Sequence, residues 1–154
     1  MTLGRTNITY ADAFPYWKTG KSDPGTWIER AGEEIERAGG QLIGYACGRT
    51  GKGNMAHVLQ FKLCGDLFRI VWPILTPKRE KDALFARRQA ATALFHDVKA
   101  RCITLRFMGA RAAFCAFILL PDGRTVGEVT TRAPAELPEI LGEQHALPAG
   151  NQEV

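Results

Sequence analysis

The strongest constraint on the fold is an alternating pattern of apolar and polar residues on both sides of Gly65-Asp66. The segments AHVLQFKLC and LFRIVWPIL each place every second residue on one side of a strand. A glycine at the first position of a two-residue turn suits type II′ geometry, so the pattern predicts an antiparallel hairpin. The core-facing pairs expected in its register are Leu63 with Phe68, Phe61 with Ile70, and Leu59 with Trp72.

The residues before this hairpin predict an arm, one helix and one strand. Ser22-Asp23-Pro24 combines capping residues with a proline that is favoured in the first helical turn. Apolar residues then recur at helical spacing as far as Gly39-Gly40, where glycine permits a left-handed end: Trp27, Ile28, Ala31, Ile35 and Ala38. Residues 41–47 predict a first strand, and residues 48–54 a glycine-rich basic connection. Residues 1–23 lack such a period and are expected to form an arm packed on the domain.

The residues after the hairpin predict a second helix and further strands. Thr76-Pro77 starts a helix whose apolar stripe ends near Val98. The period of two in CITLRFM, residues 102–108, then predicts a strand with Ile103, Leu105 and Phe107 facing inward. AAFCAFILL, residues 112–120, is apolar on both faces and predicts a central strand, and RTVGEV, residues 124–129, a last short one.

The predicted element order is α-β-β-β-α-β-β. It indicates an α+β fold, a two-layer sandwich in which a mainly antiparallel sheet carries two helices on one face. A chain of 154 residues has the size of one domain, which we assign to residues 24–132, with residues 1–23 as an N-terminal arm. Residues 133–154 contain three prolines without a sustained period, so we expect a disordered acidic tail.

Positive charge is distributed unevenly along the chain. All 20 Lys and Arg precede residue 133, and of the 16 Asp and Glu four follow it, so a body of +8 and a tail of −4 make the net charge of +4. A basic body favours a polyanionic partner. No apolar run approaches the ~20 residues of a membrane helix, and the N-terminus lacks a basic segment followed by an apolar core. We therefore expect a cytoplasmic protein with no membrane partner.

The sheet face opposite the helices carries the first candidate binding residues. In the predicted register Lys62 lies directly opposite Arg69, an unfavourable pair unless it is solvated or an anion lies between the two. The sequence leaves both interpretations open. A phosphate-binding track would join this pair to the adjoining loop and to the second helix, and its predicted members are Arg49, Lys52, Lys62, Arg69, Lys78, Arg79, Lys81, Arg87, Arg88 and Arg106.

The order of helix, three strands and helix across residues 24–99 resembles that of double-stranded RNA-binding domains. The resemblance includes HVLQF, with His57 and Phe61, on the second strand and the basic residues of ARRQAATAL in the second helix. The lysine cluster that these domains place at that helix start would align with Leu84-Phe85, and KREK at 78–81 lies one turn earlier. The β-β-β-α order of residues 41–99 also resembles the core of single-strand annealing proteins. Both resemblances imply nucleic acid and leave DNA or RNA, and one strand or two, open.

Residue types that perform catalysis are not grouped in the sequence. The single serine, Ser22, is explained by helix capping, and no metal-ligand spacing links the three histidines at 57, 96 and 145. The four cysteines show no CxxC spacing, so we expect reduced thiols that are buried except for Cys64 beside the turn. The sequence therefore predicts a protein that is not an enzyme and uses no cofactor or metal.

A second function class stays open, that of a small interaction protein, an inhibitor or a homo-oligomeric accessory protein, for example of a mobile element. The apolar segment 112–120 and the aromatic residues of the arm would supply a homo-oligomeric or docking surface. The segment AELPEILGEQ, residues 135–144, has the composition of a short linear motif. It would either contact a protein partner or fold back and screen the basic body.

Overall fold

One three-stranded antiparallel sheet and two long helices form the body of the protein. The computed structural model describes residues 9–51 and 53–132, so residues 1–8, Lys52 and the predicted tail, residues 133–154, lie outside the described residues. The elements are α1 (Pro24–Arg37), β1 (Gln41–Arg49), β2 (Met55–Leu63), β3 (Asp66–Pro73), α2 (Ala83–Met108), α3 (Ala110–Ala113) and α4 (Val126–Arg132). The sheet order is β1-β2-β3. The predicted α+β fold is confirmed.

Both long helices pack on the same face of the sheet. Side chains from α1, α2, β2 and β3 share one core cluster, whose members include Ile28, Ile35, Leu59, Phe61, Phe68, Ile70, Leu94 and Val98. Phe61 and Phe68 stack with ring centroids 5.2 Å apart, and Phe114 meets the Phe61 ring edge-on at 5.3 Å. The strand β2 lies between β1 and β3, and its side chains in this core pack against those of α2.

The connection from α1 to β1 is short because two glycines permit it. Gly39 has φ +92°, in the left-handed region that glycine adopts without strain. The amide of Gly40 donates to the carbonyl of Ile35 at 2.9 Å, and a Cβ added at Gly40 would lie 2.7 Å from Cγ2 of Ile35. The chain therefore reverses within these residues, as the sequence predicts.

The hairpin between β2 and β3 exists, but its predicted register is wrong by two residues. Cys64 and Gly65 form the turn, with φ +51° and +84°, which is the type I′ pattern of two positive φ angles. Leu63 therefore pairs with Asp66, and Phe61 with Phe68. A shift of two residues leaves each side chain on its predicted face.

The helix α2 continues through the segment that was predicted to be a strand. It ends at Met108, and Gly109 follows with φ +90°. Cys102 is buried against α1, and Arg101 Nε donates to Asp97 Oδ2 one turn earlier at 2.7 Å, so helical packing and a local ion pair outweigh the alternating pattern. In the described ranges no helix, α2 included, is both long and apolar enough to cross a membrane.

The two last predicted strands are also wrong. Residues 112–120 contain the end of α3, a 3-10 helix at Cys115–Phe117 and single bridges, of which one joins Ile118 to Phe68. The segment is apolar because Phe114 and its neighbours close one end of the core. Residues 124–129 instead lead into α4. The side chains of Thr125 and Glu128 each accept a hydrogen bond from the other residue's amide at 3.3 Å, and these two bonds cap the start of the helix.

The described part of the arm packs on α2. Gln89 is buried in α2, and its Nε2 donates to the carbonyls of Ala11 at 2.9 Å, Phe14 at 3.2 Å and Pro15 at 3.0 Å. Arg88 Nη1 donates to the carbonyl of Gly20 at 3.0 Å. The carbonyl of Ala11 also accepts from the amide of Phe14 at 3.1 Å, and the bonds from α2 satisfy further backbone acceptors of the arm.

Candidate nucleic-acid interface

The tip of the β1–β2 hairpin lies against the first turns of α2. A cavity of about 320 Å³ separates them, with Arg49 from the end of β1 on one side and Arg87 from α2 on the other. The residues that line it are Arg49, Gly53, Asn54, Met55, Ile74, Leu75, Thr76, Pro77, Ala83, Ala86 and Arg87. Among the described residues, this lining includes two arginines and no Asp or Glu.

Local hydrogen bonds hold the hairpin tip in place beside Arg49. The amide of Thr50 donates to the carbonyl of Asn54 at 2.7 Å, and the amide of Gly53 donates to the carbonyl of Thr50 at 2.8 Å. Gly53 has φ +83°, which glycine accepts readily. Arg49 Nη1 donates to the carbonyl of Gly53 at 3.2 Å.

A buried histidine fixes Arg87 relative to the sheet. His57, on β2, lies 3.0 Å from the carbonyl of Arg87 through Nε2 and 3.1 Å from the hydroxyl of Tyr45 through Nδ1. A carbonyl only accepts, so Nε2 carries the proton and the Tyr45 hydroxyl donates to Nδ1. This chain joins β1, β2 and α2.

Burial keeps His57 uncharged. Desolvation of the ring, which is 1% exposed, is the main cause of a lowered pKa, and the positive charge of Arg87 lowers the pKa further. Burial is also the main cause of the raised pKa of Tyr45. Both groups are therefore neutral near pH 7, and among the described residues the charged ones that line the cavity are Arg49 and Arg87.

Three further predicted residues lie in the segment that leads into α2. Lys78, Arg79 and Lys81 are all exposed, and Lys81 belongs to the 3-10 helix Glu80–Asp82 directly before α2. Asp82 in the same turn is buried and pairs with Lys18 of the arm at 3.5 Å. The carboxylate of Asp82 is therefore turned toward the arm.

The predicted pair of Lys62 and Arg69 is not formed. In the observed register Lys62 lies opposite Leu67 and Arg69 opposite Gln60. Arg69 Nη2 donates to the carbonyl of Gly123 at 2.7 Å and lies 3.5 Å from Glu128 Oε1. The two cations therefore do not lie opposite each other, and no anion is needed between them. Glu128 of α4 supplies a carboxylate to Arg69, and Lys62 is solvated.

Arg49 also lines a second, wider groove on the sheet face away from the helices. This groove has a volume of about 720 Å³, and Arg69, Val71 and Glu128 contribute to its wall. Arg49 and Arg69 thus both line this groove, and so does Glu128, the acidic partner of Arg69. We regard the cavity beside α2 as the better anion site because its described lining carries no such carboxylate.

The remaining predicted residues lie elsewhere. Arg88 faces the arm through its bond to Gly20, and its guanidinium lies 5.6 Å from the Phe85 ring centroid. Arg106 is not on a strand but in the last turn of α2, which is about 35 Å along the helix from Ala83 at 1.5 Å per residue. Lys52 lies outside the described residues.

Two features of this region were missed by the sequence reasoning. The Tyr45–His57 bond joins residues on neighbouring strands, and only the β1–β2 register, in which His57 pairs with Cys47, brings them together. The expectation of buried thiols was also wrong for Cys47 and Cys115, which are exposed, whereas Cys102 is buried and Cys64 is exposed as expected. An edge strand with seven exposed residues explains the exposure of Cys47.

Comparisons with known proteins add no assignment to this geometry. In the portion of the chain that the structure describes, no three His, Cys, Asp or Glu side chains are grouped so that they could hold a metal ion. Compared with protein-family models, with curated proteins and with solved structures, the chain has no significant match in any of the three.

Proposed function

We propose that the protein binds the phosphate backbone of a nucleic acid, without catalysis, at the interface between the β1–β2 hairpin and the start of α2. The observation that carries this proposal is the placement of Arg49 and Arg87 on one cavity whose described lining has no carboxylate. Two cations facing one another across a cavity lower their mutual repulsion when an anion lies between them.

The chemistry of the cavity fits a phosphate group. A guanidinium offers paired N–H donors that match phosphate oxygens, and it stays charged at any physiological pH. Lys78, Arg79 and Lys81 continue the positive charge beyond the cavity in the residues before α2. Neutralising several phosphates in this way releases condensed counterions, which supplies affinity without reading bases.

Protein binding is the second candidate function. It is favoured by one specific observation, the exposure of three large apolar side chains at the far end of α2, namely Ile103, Phe107 and Met108. Exposed apolar clusters of this kind mark interaction surfaces more often than isolated apolar residues do. Because this cluster and the cavity lie at opposite ends of α2, one protein can have both functions.

The test is fluorescence anisotropy of the full chain against labelled single- and double-stranded DNA and RNA, at low and moderate salt. We expect micromolar or tighter binding that weakens as salt rises. The double variant Arg49→Gln/Arg87→Gln should flatten the slope of log K against log salt by up to about two units. The ligand that binds best decides between RNA and DNA and between one strand and two.

A matched control removes the same charge from elsewhere. Lys21→Gln/Lys62→Gln also lowers the net charge by two, and both of these exposed residues lie outside the cavity. We expect this control to keep most of the salt slope. Equal loss of slope in both double variants would show that only net charge matters, and absence of binding at low salt would refute the nucleic-acid proposal altogether.

A further inference from the structure

The last two turns of α2 expose large apolar side chains. Phe107 is 86% exposed, Met108 70% and Ile103 56%, although all three belong to a helix whose earlier turns are packed in the core. Surface apolar residues are common when they are single, but three within six positions of one helix form a patch. The patch needs a partner that covers apolar surface.

Positive charge borders this patch. Lys99, Ile103, Arg106 and Phe107 are spaced so that they follow one side of the helix, and Lys99 and Arg106 are both exposed. Neither cation has an ion pair within residues 9–51 and 53–132. We call Lys99, Ile103, Arg106 and Phe107 the α2 stripe.

A shallow cavity beside the α2 stripe can receive an apolar side chain. It measures about 280 Å³ and lies between the C-terminal turns of α1 and α2. Its lining residues are Glu34, Arg37, Ala38, Lys99, Cys102, Ile103 and Arg106, and the carboxylate of Glu34 already pairs with Arg37 at 2.8 Å. The Cys102 thiol at this position donates to the carbonyl of Glu34 at 3.7 Å, and burial raises its pKa to about 11, so it is uncharged. A partner for this surface therefore combines aliphatic side chains with carboxylates.

The chain itself contains such a segment shortly after α4. Residues 136–143 read ELPEILGE, in which Leu137, Ile140 and Leu141 alternate with three glutamates, and no Lys or Arg follows Arg132. The segment therefore offers apolar side chains to Ile103 and Phe107 and negative charge to Lys99 and Arg106. The α2 stripe carries two exposed cations, Lys99 and Arg106, beside its exposed apolar residues, Ile103 and Phe107.

The segment that directly follows α2 packs against its later turns. Arg101 of α2 donates from Nη1 to the carbonyl of Ala113 at 2.9 Å, and its guanidinium lies 4.8 Å from the ring centroid of Phe117. The helix α4 packs on that same segment, since a Cβ added at Gly127 would lie 2.9 Å from the carbonyl oxygen of Ala116. Four residues separate Arg132 from Leu137, and an extended chain of that length reaches about 15 Å.

We propose that residues 136–143 bind in cis to the α2 stripe, with Leu137, Ile140 and Leu141 on Ile103 and Phe107 and with glutamates beside Lys99 and Arg106. This contact covers the apolar patch and pairs the two cations. It is independent of the proposed phosphate site, because the cavity with Arg49 and Arg87 lies at the other end of α2.

Photo-crosslinking in the full chain tests this contact. Phe107→p-benzoylphenylalanine places a crosslinker on an exposed side chain, and Ile103→p-benzoylphenylalanine provides a second position on the same stripe. Trypsin cleaves after Arg132, and no Lys or Arg follows that residue. Residues 133–154 are therefore recovered as one peptide that mass spectrometry identifies. We expect both positions to crosslink to this peptide within a single chain, which a mixture of ¹⁵N-labelled and unlabelled protein establishes.

Two controls define the outcomes. The triple variant Leu137→Ser/Ile140→Ser/Leu141→Ser should lose the crosslink, whereas Ile43→p-benzoylphenylalanine, an exposed position on β1, should give none to residues 133–154. Crosslinks that join two chains would show that a second copy covers the patch, and they would overturn the proposal. Absence of a crosslink from both stripe positions would overturn it as well.

Discussion

The imidazole of His57 donates from Nε2 to the main-chain carbonyl of Arg87 at 3.0 Å, and this bond ties the middle strand to the second turn of α2. Its Nδ1 accepts from the Tyr45 hydroxyl at 3.1 Å, which extends the connection to β1. Since Arg49 is the last residue of β1, the same chain of bonds links the strand that carries Arg49 to the helix that carries Arg87. A structural histidine therefore positions the proposed phosphate site.

Removing the Tyr45 hydroxyl tests one half of this chain. Tyr45→Phe leaves Nδ1 of a ring that is 1% exposed without a donor, so we expect the free energy of unfolding to fall by about 1 kcal/mol. His57→Phe removes both bonds and should lower it by about 1–3 kcal/mol. Urea denaturation measures both values. Tyr10→Phe, at an exposed tyrosine of the arm, is the control, and equal stability of all variants would contradict the expectation.

Acid should destabilise the protein partly through His57. Burial lowers the pKa of His57 in the folded state below its ordinary value of 6.5, so below that pH the unfolded state binds more protons than the folded state. Stability from this residue is complete above pH 6.5 and is lost as the pH falls toward the folded pKa. Between about pH 7.5 and pH 5, the free energy of unfolding should fall by more in the wild type than in His57→Phe. An equal fall in both proteins would argue against a buried neutral imidazole.

The first half of the fold could be predicted from the sequence because its signals are local. Proline at the start of α1, two glycines at its end and alternation on both sides of the hairpin each have a direct structural cause. The register of the hairpin could not be predicted, because Cys64-Gly65 and Gly65-Asp66 are both acceptable turns. Direct stacking of Phe61 on Phe68 distinguishes the two registers, and stacking is a tertiary interaction.

The second half was predicted less well because alternation and helical spacing coincide over short apolar runs. CITLRFM alternates, yet Cys102 and Leu105 are also three apart, as one helical face requires. The absence of Gly and Pro between Pro77 and Gly109 was the available signal for one long helix. For the candidate site, the sequence identified the basic residues but not their grouping, since ion pairs such as Arg69 with Glu128 depend on distant parts of the chain.

Loss of the Gln89 amide should release the arm. Gln89→Leu removes the donor shared by the carbonyls of Ala11, Phe14 and Pro15, so Phe14 and Pro15 lose this bond and Ala11 keeps the one from the amide of Phe14. We expect trypsin to cleave faster after Lys18, and the free energy of unfolding to fall by about 1–3 kcal/mol. Ala100→Ser, at an exposed position of the same helix, should change neither quantity. A cleavage rate equal to that of the wild type would mean that other contacts suffice to hold the arm.

The start of α4 should depend on a reciprocal cap. Thr125 Oγ1 accepts from the amide of Glu128, and Glu128 Oε2 accepts from the amide of Thr125, each at 3.3 Å. Thr125→Ala removes the first bond and should cost about 1 kcal/mol in urea denaturation. Thr125→Ser keeps the hydroxyl and should retain most of the stability. Glu128 also pairs with Arg69, so Thr125→Ala should in addition weaken the attachment of α4 to β3. If the alanine and serine variants are equally stable, the cap contributes nothing and packing alone holds α4.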